Sequence, residues 1–270
     1  MSALQSTKWN LERRLRWTDL PPSTCGLISA YCVCEAFRVR YEISESYLSF
    51  VNQRAHAGSV AEYLLSRSCA GMTAATLAKA VDVISEQTIS SHFTPTSGMS
   101  KERIKCTLRK VLDQDTVVVL TLNLQSLDDD MTPPDQLADA WHHHPVSHFV
   151  DDETVSMLYP EVVYSMEELH RMLDCHSCLL IRPVDIAFQT TSRGNLGVLR
   201  RTDDVESLRQ QKDPQWLDFD VAGNVDEVLQ WYGKDRETNS RVWLPARSSR
   251  IKIPAAYEPG ITVFQKAEKQ

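Results

Sequence analysis

Two consecutive prolines, Pro21-Pro22, followed by Ser23-Thr24-Cys25-Gly26, set where the first long helix of this chain begins. Proline disfavours helix in the residue before it, so residues 1–24 read as an extended lead-in and the helix starts at Cys25. Leu27, Ile28, Tyr31, Cys34 and Phe37 then recur at helical spacing, which predicts an amphipathic helix to about residue 38. A thiol at a helix start lies beside unpaired backbone N–H groups and the positive end of the helix dipole. Both favour the thiolate. The same N–H groups can stabilise an oxyanion, and Gly26 lets a substrate approach closely. Cys25 is therefore the candidate nucleophile, with a buried structural cysteine as the plain alternative. Cys32 and Cys34 lie deeper in the helix, where the dipole effect has faded.

Further along, Ser44 is a cap for a short helix, and residues 59–69 and 73–84 carry helical patterns with Thr73 as a cap. Residues 85–99 are rich in Ser, Thr and Pro and read as loop with room for one strand. A helix opens at Ser100-Lys101-Glu102-Arg103, with Ile104, Leu108, Val111 and Leu112 on one face. Thr116 to Leu122 is β-branched enough for a buried strand. Residues 126–139 form an acidic, Pro-containing loop, and strands at 142–150 and 154–159 flank Asp151-Asp152-Glu153. Ser165 caps another helix, and Cys178 to Ile181 is a short strand. Helices first and strands later make an α+β order rather than alternating βαβ units. From residue 186 the texture is more polar, so residues 1–185 read as the folded domain and 186–270 as a C-terminal extension packed on it.

Bulk properties exclude some functions. Hydrophobic residues are 42% of the chain, enough for a real core. The net charge is -7, from 29 basic and 36 acidic residues, and Arg13-Arg14-Leu15-Arg16 and Arg247 to Lys252 are short surface runs. No nucleic-acid partner is expected from that balance. No stretch of about 18 apolar residues exists, so no membrane span is expected. The N-terminal residues lack an apolar signal region, and seven cysteines are an odd number. Reduced thiols in the cytoplasm are the expectation.

A thiolate enzyme needs a base remote in sequence. Trp141-His142-His143-His144-Pro145-Val146-Ser147-His148 supplies candidates, with His142, His144, Val146 and His148 on one face of a regular strand. A solvated loop or a weak metal site is the plain reading of adjacent histidines. Cys175-His176-Ser177-Cys178 has a spacing that suits zinc, so His142, His144, Cys175 and Cys178 are an alternative ligand set. A redox role for that pair has no thioredoxin-like context.

Pro22-Ser23-Thr24-Cys25-Gly26-Leu27-Ile28-Ser29 resembles the nucleophile region of phytochelatin synthases, in which Cys-Gly-Leu opens the central helix of a papain-like fold. Gly71-Met72-Thr73, Ser100 to Leu112, Thr116 to Asn123, Asp152 to Leu158 and Tyr164 to Leu169 are similar to later segments in the same order. His142-His143-His144-Pro145-Val146 resembles the family's His-x-x-Pro-Ile, and the bacteriocin-processing C39-like peptidases give the same register. The resemblance covers roughly residues 10–185. It implies a papain-like cysteine peptidase fold, a helical lobe followed by an antiparallel sheet lobe, and it implies His142 rather than His148 as base. The implied activity is thiol acyltransfer or amide hydrolysis on a small peptide or peptide-like acyl substrate, with no cofactor and no metal. Two positions depart from the family. Tyr159 stands where its triad aspartate should close the second strand, and Asp19 stands where its oxyanion glutamine should lie. Glu161, Asp151 or Asp152 are substitutes for the orienting acid. A carboxylate at 19 repels a developing oxyanion unless protonated or turned aside. The alternative implied by both departures is a catalytically impaired papain-like protein used for binding or assembly.

Overall fold

The computed structural model describes residues 23–54, 59–112, 115–128, 137, 140–191, 205–238 and 250–267. Asp19, the lead-in before Ser23 and most of the acidic loop lie outside the described residues.

Each early helix begins at a residue that can take over an orphan N–H. Helix α1 (Cys25–Ala36) follows Thr24. Ser44 caps a 3-10 turn at Glu45–Phe50, accepting from the Ser46 amide. Helix α2 (Val60–Cys69) has a reciprocal capping box between Ser59 and Glu62, and α3 (Ala74–Ile84) is capped by Thr73. Strand β1 (Ile89–Pro95), helix α4 (Lys101–Leu112) and strand β2 (Val117–Asn123) follow. Strands β3 (Trp141–Phe149), β4 (Thr154–Met157) and β5 (Val162–Ser165) make a meander, and Ser165 with Glu168 boxes the start of α5 (Met166–Leu173). Strand β6 (Cys178–Ile181), helices α6 (Pro183–Thr191), α7 (Pro214–Asp218) and α8 (Val221–Thr238), and strands β7 (Ile251–Pro254) and β8 (Gly260–Lys266) complete the order.

This is a mixed α+β chain on an antiparallel sheet in the order β1-β8-β2-β3-β4-β5, with β6 and β7 paired separately. No described helix is long and apolar enough to cross a membrane.

The sheet corrects the expected boundary at residue 185. Strand β8 lies between β1 and β2, pairing Ile261 with both Thr94 and Leu120. Ile261 and Phe264 are fully buried, on opposite sheet faces. Strand β7 pairs with β6. Residues 186–270 are thus not an extension laid on a finished core; their last strand is a central part of it. Gly260 is required where β8 enters, because a Cβ there would come within 2.7 Å of the Thr94 carbonyl oxygen and meet the Phe93 ring.

Strand alternation sorts the side chains into two layers. Val117, Val119 and Phe264 pack with Leu27, Tyr31 and Leu77 on the α1/α3 side. Val118, Leu120, Leu122, Val146 and Ile261 pack with Leu108 and Leu169 on the α4/α5 side. Strand β2 is buried on both faces, so it shows a continuous β-branched run instead of alternation. Helix α1 is likewise not amphipathic as expected. Its residues from Gly26 to Cys34 are buried, Ile28 excepted, as befits a helix enclosed on every side.

Candidate active site around Cys25

Cys25 is the first residue of α1 and is half-buried. Thr24 makes no side-chain cap bond to this helix, and no acidic residue occupies its first turn. Helices α2, α3 and α5 by contrast have their first amides bonded by Ser59, Thr73 and Ser165. The helix carrying the thiol is therefore the one left without a hydroxyl cap among these four. That keeps its N-terminal dipole available to a thiolate or an oxyanion.

Helix α1 lies against β3. The Ser29 hydroxyl sits 2.9 Å from the Cys25 carbonyl oxygen and 3.0 Å from the His143 carbonyl oxygen, joining the first helical turn to the strand. A Cβ at Gly26 would lie 3.1 Å from Cδ2 of His143 and 2.8 Å from Cβ of Met72, so the His143 ring edge abuts the residue after the thiol.

This places His143, not His142, beside the start of α1. The cross-strand partner of His143 is Thr121, and those of His142 and His144 are Leu122 and Leu120. Partners share a face, so His142 and His144 belong to the α4/α5 side, where their rings meet edge to face at 5.7 Å. The resemblance aligned letters. The pleat puts the neighbouring residue, His143, on the sheet face under α1. His148 is exposed, with its Nδ1 3.0 Å from the Ser147 hydroxyl.

His143 is held as a neutral group. Its Nε2 lies 2.6 Å from the Met72 carbonyl oxygen, which can only accept, so the proton is on Nε2. Its Nδ1 then accepts from the Thr121 hydroxyl at 3.2 Å. Burial lowers its pKa to about 4, against the opposing hydrogen bond to Met72. His144 is fully enclosed, lacks a hydrogen-bond partner among the described residues, and is pushed down to about 3, chiefly by burial.

Other expected groups fall elsewhere. Tyr159 lies beyond the end of β4 and packs half-buried against the apolar cluster containing α1. Asp152 pairs with Arg109 on the exposed hairpin, and Asp151 accepts from the Glu153 amide in the same turn at 2.7 Å. The partner of Asp152 sets it against α4 rather than near the thiol. Among the described residues no three His, Cys, Asp or Glu side chains gather in a metal-binding group, so His142, His144, Cys175 and Cys178 are not brought together.

One group near the thiol went unforeseen. Tyr257, between β7 and β8, donates its hydroxyl to the Ala70 carbonyl oxygen. It stacks on Trp141 with ring centroids 5.5 Å apart and lies 6.1 Å from the His143 ring. Burial pushes its pKa well above the ordinary tyrosine value, with a further push from the nearby Cys25. No local pattern around residue 257 marks it, because its neighbours come from positions 70, 141 and 143. Gly71 makes room for it. Its φ is +99°, a Cβ would meet the Tyr257 hydroxyl and come within 3.3 Å of the Ser23 carbonyl oxygen, and its backbone bonds Asn52 in both directions. Gly71→Ala is expected to cost about 2 kcal/mol from the left-handed backbone and the displaced Tyr257. Thermal unfolding would show it, and an unchanged melting temperature would contradict this packing.

No protein-family description matches the sequence, and no curated protein matches it.

Proposed function

We propose that this chain is a papain-like thiol acyltransferase or peptidase that forms an acyl-enzyme on Cys25 with a small peptide-like substrate. The observation that carries the reading is the half-buried Cys25 at a helix start without a side-chain cap, packed against a histidine-bearing strand of an antiparallel sheet. In the reaction Cys25 Sγ adds to an amide carbonyl, the oxyanion faces the α1 amides, and the C–N bond breaks as the amine gains a proton. The acyl group then passes to an amine, thiol or water. His143, whose ring edge abuts Gly26, is the proton carrier in this reading. To act, its ring must release the Met72 carbonyl and the Thr121 hydroxyl and turn a lone pair toward the thiol.

That requirement favours a second reading, in which the same scaffold binds or assembles with a partner and the thiol is inert. Alkylation by iodoacetamide at about pH 6, below the ordinary thiol pKa, separates the two. The enzyme reading expects Cys25 to be modified several-fold faster than exposed Cys106, and expects peptide aryl esters to leave an acyl adduct that Cys25→Ser abolishes. Labelling of Cys25 no faster than Cys106, with no adduct, favours the binding reading.

A further inference from the structure

We propose that Cys175 and Cys178 form a thiol–disulfide exchange site that reacts with a low-molecular-weight dialkyl disulfide. Both thiols line one cavity of about 300 Å³, together with Ser126, Asn123 and Lys252. A second cavity of about 390 Å³ shares Cys175, His176 and Lys252 and reaches Asp218 and Glu258. Cavities of this size accept small molecules; Lys252 lines both, and Asp218 and Glu258 line the second. The chain between the thiols turns, the Cys178 amide bonding the His176 carbonyl at 2.8 Å, and both cysteines line the same opening.

The thiols are unequal. Cys175 donates to the Met172 carbonyl at 3.3 Å, at the negative end of α5, where a thiolate is disfavoured. Cys178 has the Lys252 ammonium beside it, a group that favours its thiolate. Cys178 is therefore the attacking sulfur. Its thiolate attacks one sulfur of the dialkyl disulfide, forming a mixed disulfide and expelling one alkyl thiolate. The Cys175 thiolate then attacks the Cys178 sulfur, closing the Cys175–Cys178 bond and expelling the second alkyl thiolate. The two protein thiol protons end on the two expelled thiolates, so two protein thiols are oxidised and one disulfide is reduced to two thiols.

Burial pushes the Cys175 thiol up to about 11 and holds Cys178 above its ordinary value. Thiols of this kind are poor leaving groups, so the closed disulfide resists reduction. The carbonyl of Cys178 accepts from Trp141 Nε1 at 3.0 Å and Asn123 Nδ2 at 3.1 Å. Closure therefore acts on the strand end whose Trp141 stacks on Tyr257.

The test uses the full chain with hydroxyethyl disulfide at about pH 8.5, the ordinary thiol pKa, followed by acid quench, alkylation and peptide mapping. The expected result is a peptide spanning Cys175 and Cys178 that has lost two hydrogens and both alkylation sites, in wild type and in Cys25→Ser alike. Cys175→Ser is expected to keep one hydroxyethyl adduct on Cys178 that goes no further, since no second thiol is left to displace it. A wild-type peptide that stays reduced, or carries the adduct without internal closure, overturns the proposal. A Cys175→Ser variant whose Cys178 takes no adduct does the same. The wild-type measurement decides the matter if the variant does not fold.

Discussion

A chain ending at residue 249 is expected to show no cooperative unfolding transition and to aggregate. Such a chain keeps the whole of residues 1–185 but loses β7 and β8. Without β8, β1 has no partner and β2 becomes an open edge from Val117 to Thr121. Ile251, Ile253, Ile261 and Phe264 are each buried to within 1% of completely, and each such side chain contributes about 1.5–3 kcal/mol by leaving water. Four of them together approach the whole stability of an ordinary domain, about 5–15 kcal/mol, before the two lost strand ladders are counted. A freed β-branched edge also templates intermolecular pairing. Far-ultraviolet circular dichroism with a urea titration checks this. A transition matching that of the full chain would mean that residues 1–249 fold without β7 and β8 and that the central place of β8 is dispensable.

His144→Leu is expected to stabilise the protein, and by more in acid than at neutral pH. The ring of His144 is fully enclosed beside Tyr164 and His142 and finds no hydrogen-bond partner among the described residues. An unpartnered buried polar group costs about 1–3 kcal/mol, which leucine of similar volume removes. The pH dependence follows from the lowered pKa values. The unfolded imidazoles take protons near pH 6.5, while folded His143 and His144 hold out to about 4 and about 3. Between those limits the unfolded state binds more protons. Stability is therefore complete above the unfolded pKa and is lost as pH falls through the window toward the folded values. At full extent the loss is about 3 kcal/mol for His143 and about 5 kcal/mol for His144. The variant is expected to gain about 2 kcal/mol more at about pH 5 than at about pH 7, seen as a wider separation of urea midpoints. Equal midpoints for wild type and variant at both pH values would show that His144 is solvated or bonded after all.

These two expectations mark what local sequence could and could not determine. Caps were legible because they are local: Ser44, Thr73 and Ser165 each bond an amide two or three residues on. The buried strand at Val117–Asn123 was legible from its β-branched content. Its neighbour β8 was not, because Gly260–Lys266 pairs with residues about 140 and 170 positions earlier, and a polar, charged stretch precedes it. The short strand β5 was missed because four residues between a turn and a capped helix show no period.

At the candidate site the division is sharper. Sequence alone determined that a thiol opens the first long helix, because prolines and Gly26 punctuate the chain there whatever it packs against. Which histidine lies on the sheet face under α1 is a question of pleat. A shift of one residue exchanges the two sheet faces, and only the pairing of His143 with Thr121, under α1, decided it. The tertiary structure alone also decided that Tyr257 stands near Cys25 and that Gly71 makes room for it. Their contacts join segments that no local period connects, and burial by the surrounding layers, not residue type, makes His143 a neutral, doubly bonded group.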